Sequence, residues 1–291
     1  MKKRNLFAVL MLTAVTTITL MALNSCAPKG KNIGLQLYSL RDSIKNDVPG
    51  VISKTAEMGY KFAELAGYRD GKFYNMEPVD FKALCDSCNL PILSSHTSRS
   101  LPDSANYDET MAWWDKCIDA HVAIGAKFIV QPSMGGSGYQ SIEGLKAWCD
   151  YFNEVGAKCN AKGIRFGYHN HDREVTVKPD SIILVYDYML QNTDPAKVMF
   201  QMDIGHLVDG GADPIAYFNK YPGRFELWHI AETYEIGSTG KLDWEAIWAA
   251  APVSGMKYGI VEVERYNFDE FTSCKISLDT LNAAPYVVLP L

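Results

Sequence analysis

An α/β chain closed as a single (β/α)8 barrel is what this sequence predicts, on three observations. Short apolar runs recur eight times, roughly 30 residues apart, which is the length of one strand-plus-helix unit. Amphipathic stretches lie between them and end in Gly just before the next run, a helix-stop signature. Nothing interrupts the alternation: there is no low-complexity segment and no long linker. Strand and helix in strict alternation imply a parallel sheet, and eight units point to closure. An open doubly wound sheet is the competing architecture, but no Gly-x-Gly-x-x-Gly follows the first run.

In chain order the runs are Ile33–Tyr38, Phe62–Leu65, Ile92–His96, Phe128–Gln131, Ile164–His169, Val198–Asp203, Phe225–His229 and Tyr258–Glu262. Their length and near-continuous apolar character suit strands buried on both faces. Between them, Val48–Met58 reads as a helix ending at Gly59, and Asp80–Cys88 as one ending before Pro91. Asp108–Ile124 ends at Gly125, and Ser141–Ala161 at Gly163.

The N-terminus belongs to a different kind of segment. Lys2, Lys3 and Arg4 precede an apolar stretch from Leu6 to Leu23, the pattern of a secretory signal peptide. Leu23-Asn24-Ser25-Cys26 resembles the lipobox of bacterial lipoproteins, in which the Cys becomes the lipidated first residue. The expected organisation is therefore a signal peptide over residues 1–25, lipidation at Cys26, a tether over 26–31 and a barrel over 32–291. This places the protein outside the cytoplasm, anchored to a membrane through its lipid and facing the periplasm or the cell surface. No other stretch is long and apolar enough to span a bilayer.

The first 25 residues hold three of the 28 Lys/Arg and none of the 34 Asp/Glu, so the remainder carries a net charge of −9. A surface that acidic argues against nucleic acid, whose phosphates need a basic footprint. Six Cys remain beyond Cys26, and an oxidising compartment permits disulfides. Cys85-x-x-Cys88 has no second Cys pair to complete a zinc site, and helical spacing puts both thiols on one half-buried face.

Function is written in where the polar residues fall. Of the six His, five sit at or just beyond the end of an apolar run: His96, His169, His171, His206 and His229. His121 lies inside a helical stretch and reads as a packing residue. Asp203 and Glu262 end the sixth and eighth runs, and Glu64 lies in the second. A parallel barrel gathers all strand ends of one polarity on one rim, so these residues converge. Left unpaired and buried they would be unfavourable, and a divalent cation resolves that cost.

These features resemble the xylose isomerase-like TIM barrels, the sugar phosphate isomerase/epimerase family, over roughly residues 33–281. The resemblance rests on Gly34-Leu35-Gln36-Leu37-Tyr38-Ser39-Leu40-Arg41 at the first strand and Tyr168-His169-Asn170-His171-Asp172-Arg173-Glu174 at the fifth. Gly240-Lys241-Leu242-Asp243-Trp244 before the last strand is the third motif. It implies one divalent ion (Mn²⁺, Mg²⁺, Co²⁺ or Zn²⁺) held by His169, Asp203, His229 and Glu262, with Glu264 as the alternative eighth-strand ligand. His169 stands where better-understood relatives carry a Glu that also serves as one of two proton-transfer bases. Glu262 is then the expected base, with Glu174 or His171 as the second. Tyr38, Glu64, His96, His206 and Glu232 are the expected substrate contacts.

The implied activity is isomerisation or epimerisation of a ketose or keto-sugar through an enediolate. The alternative is metal-assisted β-elimination that cleaves 3-keto-glycosides, since both routes begin with the same proton abstraction. A non-catalytic sugar-binding lipoprotein is a third reading, which the intact Asp203 and Glu262 oppose. The partner is a small carbohydrate, and association into a homo-oligomer is left open. Trp113, Trp114, Tyr139 and Trp228 are further candidates to stack on a sugar ring. Gly135-Gly136-Ser137-Gly138 reads as a mobile loop, with a backbone anion nest as the alternative.

Overall fold

The computed structural model describes residues 30–289. The signal-peptide segment, Cys26 and tether residues 27–29 lie outside the described residues.

Eight parallel strands close into one barrel: β1 (Ile33–Gln36), β2 (Phe62–Leu65), β3 (Ile92–His96), β4 (Phe128–Gln131), β5 (Arg165–His169), β6 (Val198–Asp203), β7 (Leu227–Ile230) and β8 (Tyr258–Val261). Each pairs with its successor, and β8 returns to β1, with Ile33 opposite Gly259 and Leu35 opposite Val261. The expected strands are all present; the seventh begins at Leu227 rather than Phe225 and the eighth stops at Val261. A short antiparallel hairpin, Tyr68–Arg69 with Lys72–Phe73, was not anticipated. Its strands are two residues each, too short to leave a periodic signal.

Helix boundaries follow local chemistry. In the helix Val48–Met58, Pro49 occupies the first turn, the Asp47 side chain accepts from the Gly50 N–H, and Gly59 ends it at φ 105°. Ser141 caps the helix Ile142–Ala161 in the same way through the Gly144 N–H. Among the described residues no helix is long and apolar enough to cross a membrane. All six cysteines beyond Cys26 are free thiols, Cys85 and Cys88 included.

Strand alternation sorts side chains into two apolar groups. Ile33, Leu35, Ala63, Ile129, Phe166, Phe200, Trp228 and Val261 belong to the large core between barrel and helices. Phe62, Leu93, Phe128, Met199, Leu227 and Ile260 form a separate cluster that fills the lower barrel interior. Gly34 makes room for it, because a Cβ there would lie 2.1 Å from the Phe62 ring. Two residues further along four of the strands the inward positions turn polar: Glu64 after Phe62, Gln201 after Met199, His229 after Leu227 and Glu262 after Ile260. An apolar plug thus seals one end, and the opposite, carboxyl end carries the polar layer.

Candidate metal centre

Four buried side chains meet at that carboxyl end. His169 closes β5, Asp203 closes β6, His229 lies in β7, and Glu262 follows β8 directly. One potential ligand atom from each lies within 4.8 Å of those of the other three. Asp203 also caps the short helix Ile204–Asp209: its Oδ1 accepts from the His206 N–H at 2.7 Å. Asn170 holds the Asp203 backbone from the other side, accepting its N–H at 3.0 Å and donating to its carbonyl at 3.2 Å. Those bonds aim Asp203 Oδ2 inward, where it is buried without a hydrogen-bond partner. A buried carboxylate oxygen with no donor is unfavourable on its own and well suited to a cation. With two imidazoles and a second carboxylate beside it, the donor set fits a divalent transition ion or Mg²⁺.

A second set of polar side chains lies behind these four. His229 Nε2 is 2.6 Å from Glu64 Oε1, and His229 Nδ1 is 2.8 Å from Glu262 Oε2 and 3.7 Å from Asp203 Oδ2. Burial alone would lower the His229 pKa, but the Glu262 and Glu64 carboxylates raise it well above the ordinary histidine value. Burial raises Asp203 above the usual carboxylate range, against the pull of His206 and His229. Glu64 takes further bonds from Gln36 Nε2 and Gln201 Nε2, each at 2.8 Å. Glu64 is fully buried. It was expected to touch substrate; instead its carboxylate is enclosed by His229, Gln36 and Gln201 and does not line the cavity.

A cavity of about 510 Å³ opens above the cluster, lined by Tyr38, His96, His169, His171, Glu262 and Glu264 among others. Tyr38 is 44% exposed at its mouth, with the Arg41 guanidinium 4.9 Å from its ring centre. His206 lines an adjoining recess with Asp203, and its ring centre is 4.7 Å from that of His171. Tyr38, His96 and His206 thus stand where a bound molecule would reach them. Glu264 lies at the rim, 3.6 Å from His206 Nε2, outside the four-residue cluster.

A further expectation is corrected. Glu174 is buried, and its carboxylate accepts from the Tyr139 and Tyr168 hydroxyls and the His171 N–H. With three donors and no opening to the cavity it holds the His171 loop in place and is not set to move a proton to substrate. Glu232 is held by Trp244 Nε1, Thr239 Oγ1 and the Gly237 N–H, which fasten the loop after β7, and it lines the same recess as His206 and Asp203. Trp114 and Trp228 are buried away from the cavity, Trp228 stacked on Phe218 at 4.9 Å. Gly136 and Gly138 lie at the start of a short helix, where Gly138 packs on Met134 and Trp148. Sequence reasoning passed over Gln36 and Gln201. Their inward spacing, two residues from Gly34 and from Asp203, was the available signal.

The description of a xylose isomerase-like TIM barrel matches residues 52–281. The chain belongs to that family. Within it the chain is 28% identical over 255 residues to an inosose dehydratase of Lacticaseibacillus casei, covering 72% of this chain and 83% of that one. It is 30% identical over 194 residues to an inosose dehydratase of Clostridium beijerinckii, covering 61% and 63%. A solved sugar phosphate isomerase/epimerase from Parabacteroides distasonis superposes with a TM-score of 0.83 at 34% identity, covering 91% and 98%. A D-psicose 3-epimerase with D-tagatose from Clostridium cellulolyticum, at 14% identity and a TM-score of 0.65, shares the fold. Members of this family modify sugars, and the buried His/Asp/Glu cluster occupies the end of the barrel where such folds keep their active sites.

Proposed function

We propose that the protein is a metal-dependent lyase that eliminates an oxygen substituent β to the ketone of a keto-sugar or keto-cyclitol. His169, Asp203, His229 and Glu262 would hold the ion. When bound, it supplies Lewis acidity that makes the C–H beside a carbonyl easier to ionise. Glu262, at the cavity wall, accepts that proton. The C–H electron pair becomes a C=C bond conjugated with the ketone as the β C–O bond breaks. An imidazolium of the His171–His206 pair protonates the departing oxygen. Tyr38 and His96 orient the ring.

The observation that carries this reading is the placement of bases. Epimerisation through two carboxylates needs one on each face of the carbon. Here the cavity carboxylates, Glu262 and Glu264, come from one strand end, the fifth-strand position is His169, and Glu174 is tied to two tyrosines. Imidazoles face them from β5 and β6, which suits protonation of a leaving group. The inosose dehydratase relatives support the same class. Isomerisation or epimerisation is the second reading, favoured by the similarity to the Parabacteroides distasonis structure.

Incubation of the Mn²⁺-loaded protein with 2-keto-inositol and with 3-keto-glucosides in D₂O, followed by NMR and ultraviolet absorbance, separates the two. Elimination yields an absorbing enone and free water or aglycone, abolished in Glu262→Gln. A deuterated epimer or isomer with no enone would overturn the lyase reading. Export is part of the same proposal: mass spectrometry of the membrane fraction should find an acylated Cys26 as first residue, and a soluble protein retaining Met1 would oppose it.

A further inference from the structure

Two histidine-containing clusters compete in the barrel mouth. Besides His169, Asp203, His229 and Glu262, the trio His96, His169 and His229 also brings ring nitrogens within 4.8 Å of one another. We infer that Gln201 and Glu64 are positioning residues that fix the tautomers of these histidines, closing the trio to metal and leaving the four-residue cluster open. The inference rests on reading that cluster as the metal centre.

The sense of the Gln201 amide is set by its neighbour. Gln201 Nε2 lies 2.8 Å from Glu64 Oε2, and a carboxylate oxygen only accepts, so the amide NH₂ end faces Glu64. Gln201 Oε1 is thereby aimed at two imidazoles, 2.7 Å from His96 Nε2 and 3.1 Å from His169 Nδ1. A carbonyl oxygen only accepts, so both of those nitrogens carry hydrogen. Glu64 Oε1 does the same to His229, taking its Nε2–H at 2.6 Å. Gln36 braces Glu64 from the far side, donating to Oε1 at 2.8 Å while its own Oε1 accepts the Tyr38 N–H at 3.0 Å. Gln36, Glu64 and Gln201 are all fully buried, so water does not compete for these bonds.

A nitrogen that bears hydrogen has no lone pair for a cation. The three inner nitrogens are therefore closed to metal; His169 Nε2 keeps its lone pair, and a cation entering beside Glu262 Oε2 would release the Nδ1 proton of His229 to solvent. His229 Nδ1 is the one beside Glu262 Oε2 and Asp203 Oδ2. A neutral amide at 201 is what the arrangement needs. A carboxylate would set two acceptors against each other at the Glu64 contact, and an apolar side chain would leave Glu64 Oε2 and His169 Nδ1–H without partners. Outer bonds of this kind typically govern metal affinity by 10- to 100-fold.

The test uses the full chain with ¹⁵N-histidine, loaded with Zn²⁺, and long-range ¹H–¹⁵N correlations. The expected pattern is hydrogen on His169 Nδ1, His229 Nε2 and His96 Nε2. Hydrogen on His169 Nε2 or His229 Nδ1 in the loaded protein would overturn the inference without any variant being made. Gln201→Met keeps the side-chain length and removes the amide. Calorimetry should show its Zn²⁺ affinity falling about 10- to 100-fold, with both His169 tautomers populated; wild-type affinity would count against a positioning role. Asp203→Asn is the control for the underlying reading: if it binds Zn²⁺ as tightly as the wild type, the four-residue cluster is not the metal centre.

Discussion

His229 stands between two carboxylates, its Nε2 2.6 Å from Glu64 and its Nδ1 2.8 Å from Glu262, with Asp203 Oδ2 3.7 Å away. Three buried carboxylates around one ring leave a local excess of negative charge that a divalent ion would neutralise. Metal should therefore stabilise the fold. At a free concentration 100 times the dissociation constant the gain is about 2.7 kcal/mol, which for a chain of this size raises the melting temperature by roughly 5 to 10 °C. Thermal denaturation with and without Mn²⁺, Co²⁺, Zn²⁺ or Mg²⁺ measures it. Asp203→Asn should abolish the shift, and an unchanged wild-type melting temperature with all four ions would refute the site.

Glu262 and Glu174 should separate cleanly in kinetics and stability. Glu262 borders the cavity, so Glu262→Gln should lower kcat by about 10²- to 10⁴-fold, the usual cost of losing a general base. Glu174 accepts from Tyr139, Tyr168 and the His171 backbone instead. Glu174→Gln puts an NH₂ group against one of those donors and should cost about 1 to 3 kcal/mol of stability, read by urea denaturation. Its loss of kcat should remain far smaller than that of Glu262→Gln. Equal kinetic losses in the two variants would restore Glu174 as a base.

The barrel was legible because each parallel strand is buried on both faces and reads as an uninterrupted apolar run. The candidate cluster was legible because His and acids gathered at strand ends of one polarity must converge: His169, Asp203, His229 and Glu262 do so as the strand order requires. Enclosure by neighbours was not. Glu64 and Glu262 look alike in sequence, yet Glu64 is fully buried among His229, Gln36 and Gln201 and does not line the cavity. Glu174 came with a motif, and only the two tyrosines beside it show that the motif stabilises a loop. Gln201 and Gln36 carry no charge or metal-ligating group, so their inward spacing alone marked them until their partners were in view.

Gly156 tests how tightly the helix layer seats on the barrel. It lies within the helix Ile142–Ala161, and a Cβ there would come 2.4 Å from the Lys197 carbonyl oxygen, just before β6. Backbone cannot swing aside as a side-chain tip can. Gly156→Ala should therefore destabilise by about 1 to 3 kcal/mol, although alanine is the better helix former. A melting temperature at or above that of the wild type would show that helix and strand can part without cost.

His121 offers a pH test away from the metal centre. It is fully buried between Tyr68 and Phe73, with ring centres 5.0 Å from each, and its Nδ1–H donates to the Cys117 carbonyl at 2.7 Å. Burial disfavours the imidazolium and pushes its pKa down to about 4, with the Cys117 bond acting weakly the other way. In the unfolded chain histidine titrates near 6.5. Between those values the unfolded state binds a proton that the folded state refuses, so stability rises with pH across the window. The contribution is fully present above about pH 6.5, falls as pH drops, and is exhausted near pH 4, about 3 kcal/mol in all. His121→Gln removes this titration while leaving every other group in place. The difference in unfolding free energy between wild type and variant, measured by urea denaturation from pH 7 to 4, should therefore shrink by that amount if the ring is excluded from protonation. A difference that stays constant with pH would mean that His121 accepts its proton in the folded barrel, and that the pocket formed by Tyr68, Phe73 and Cys117 admits water.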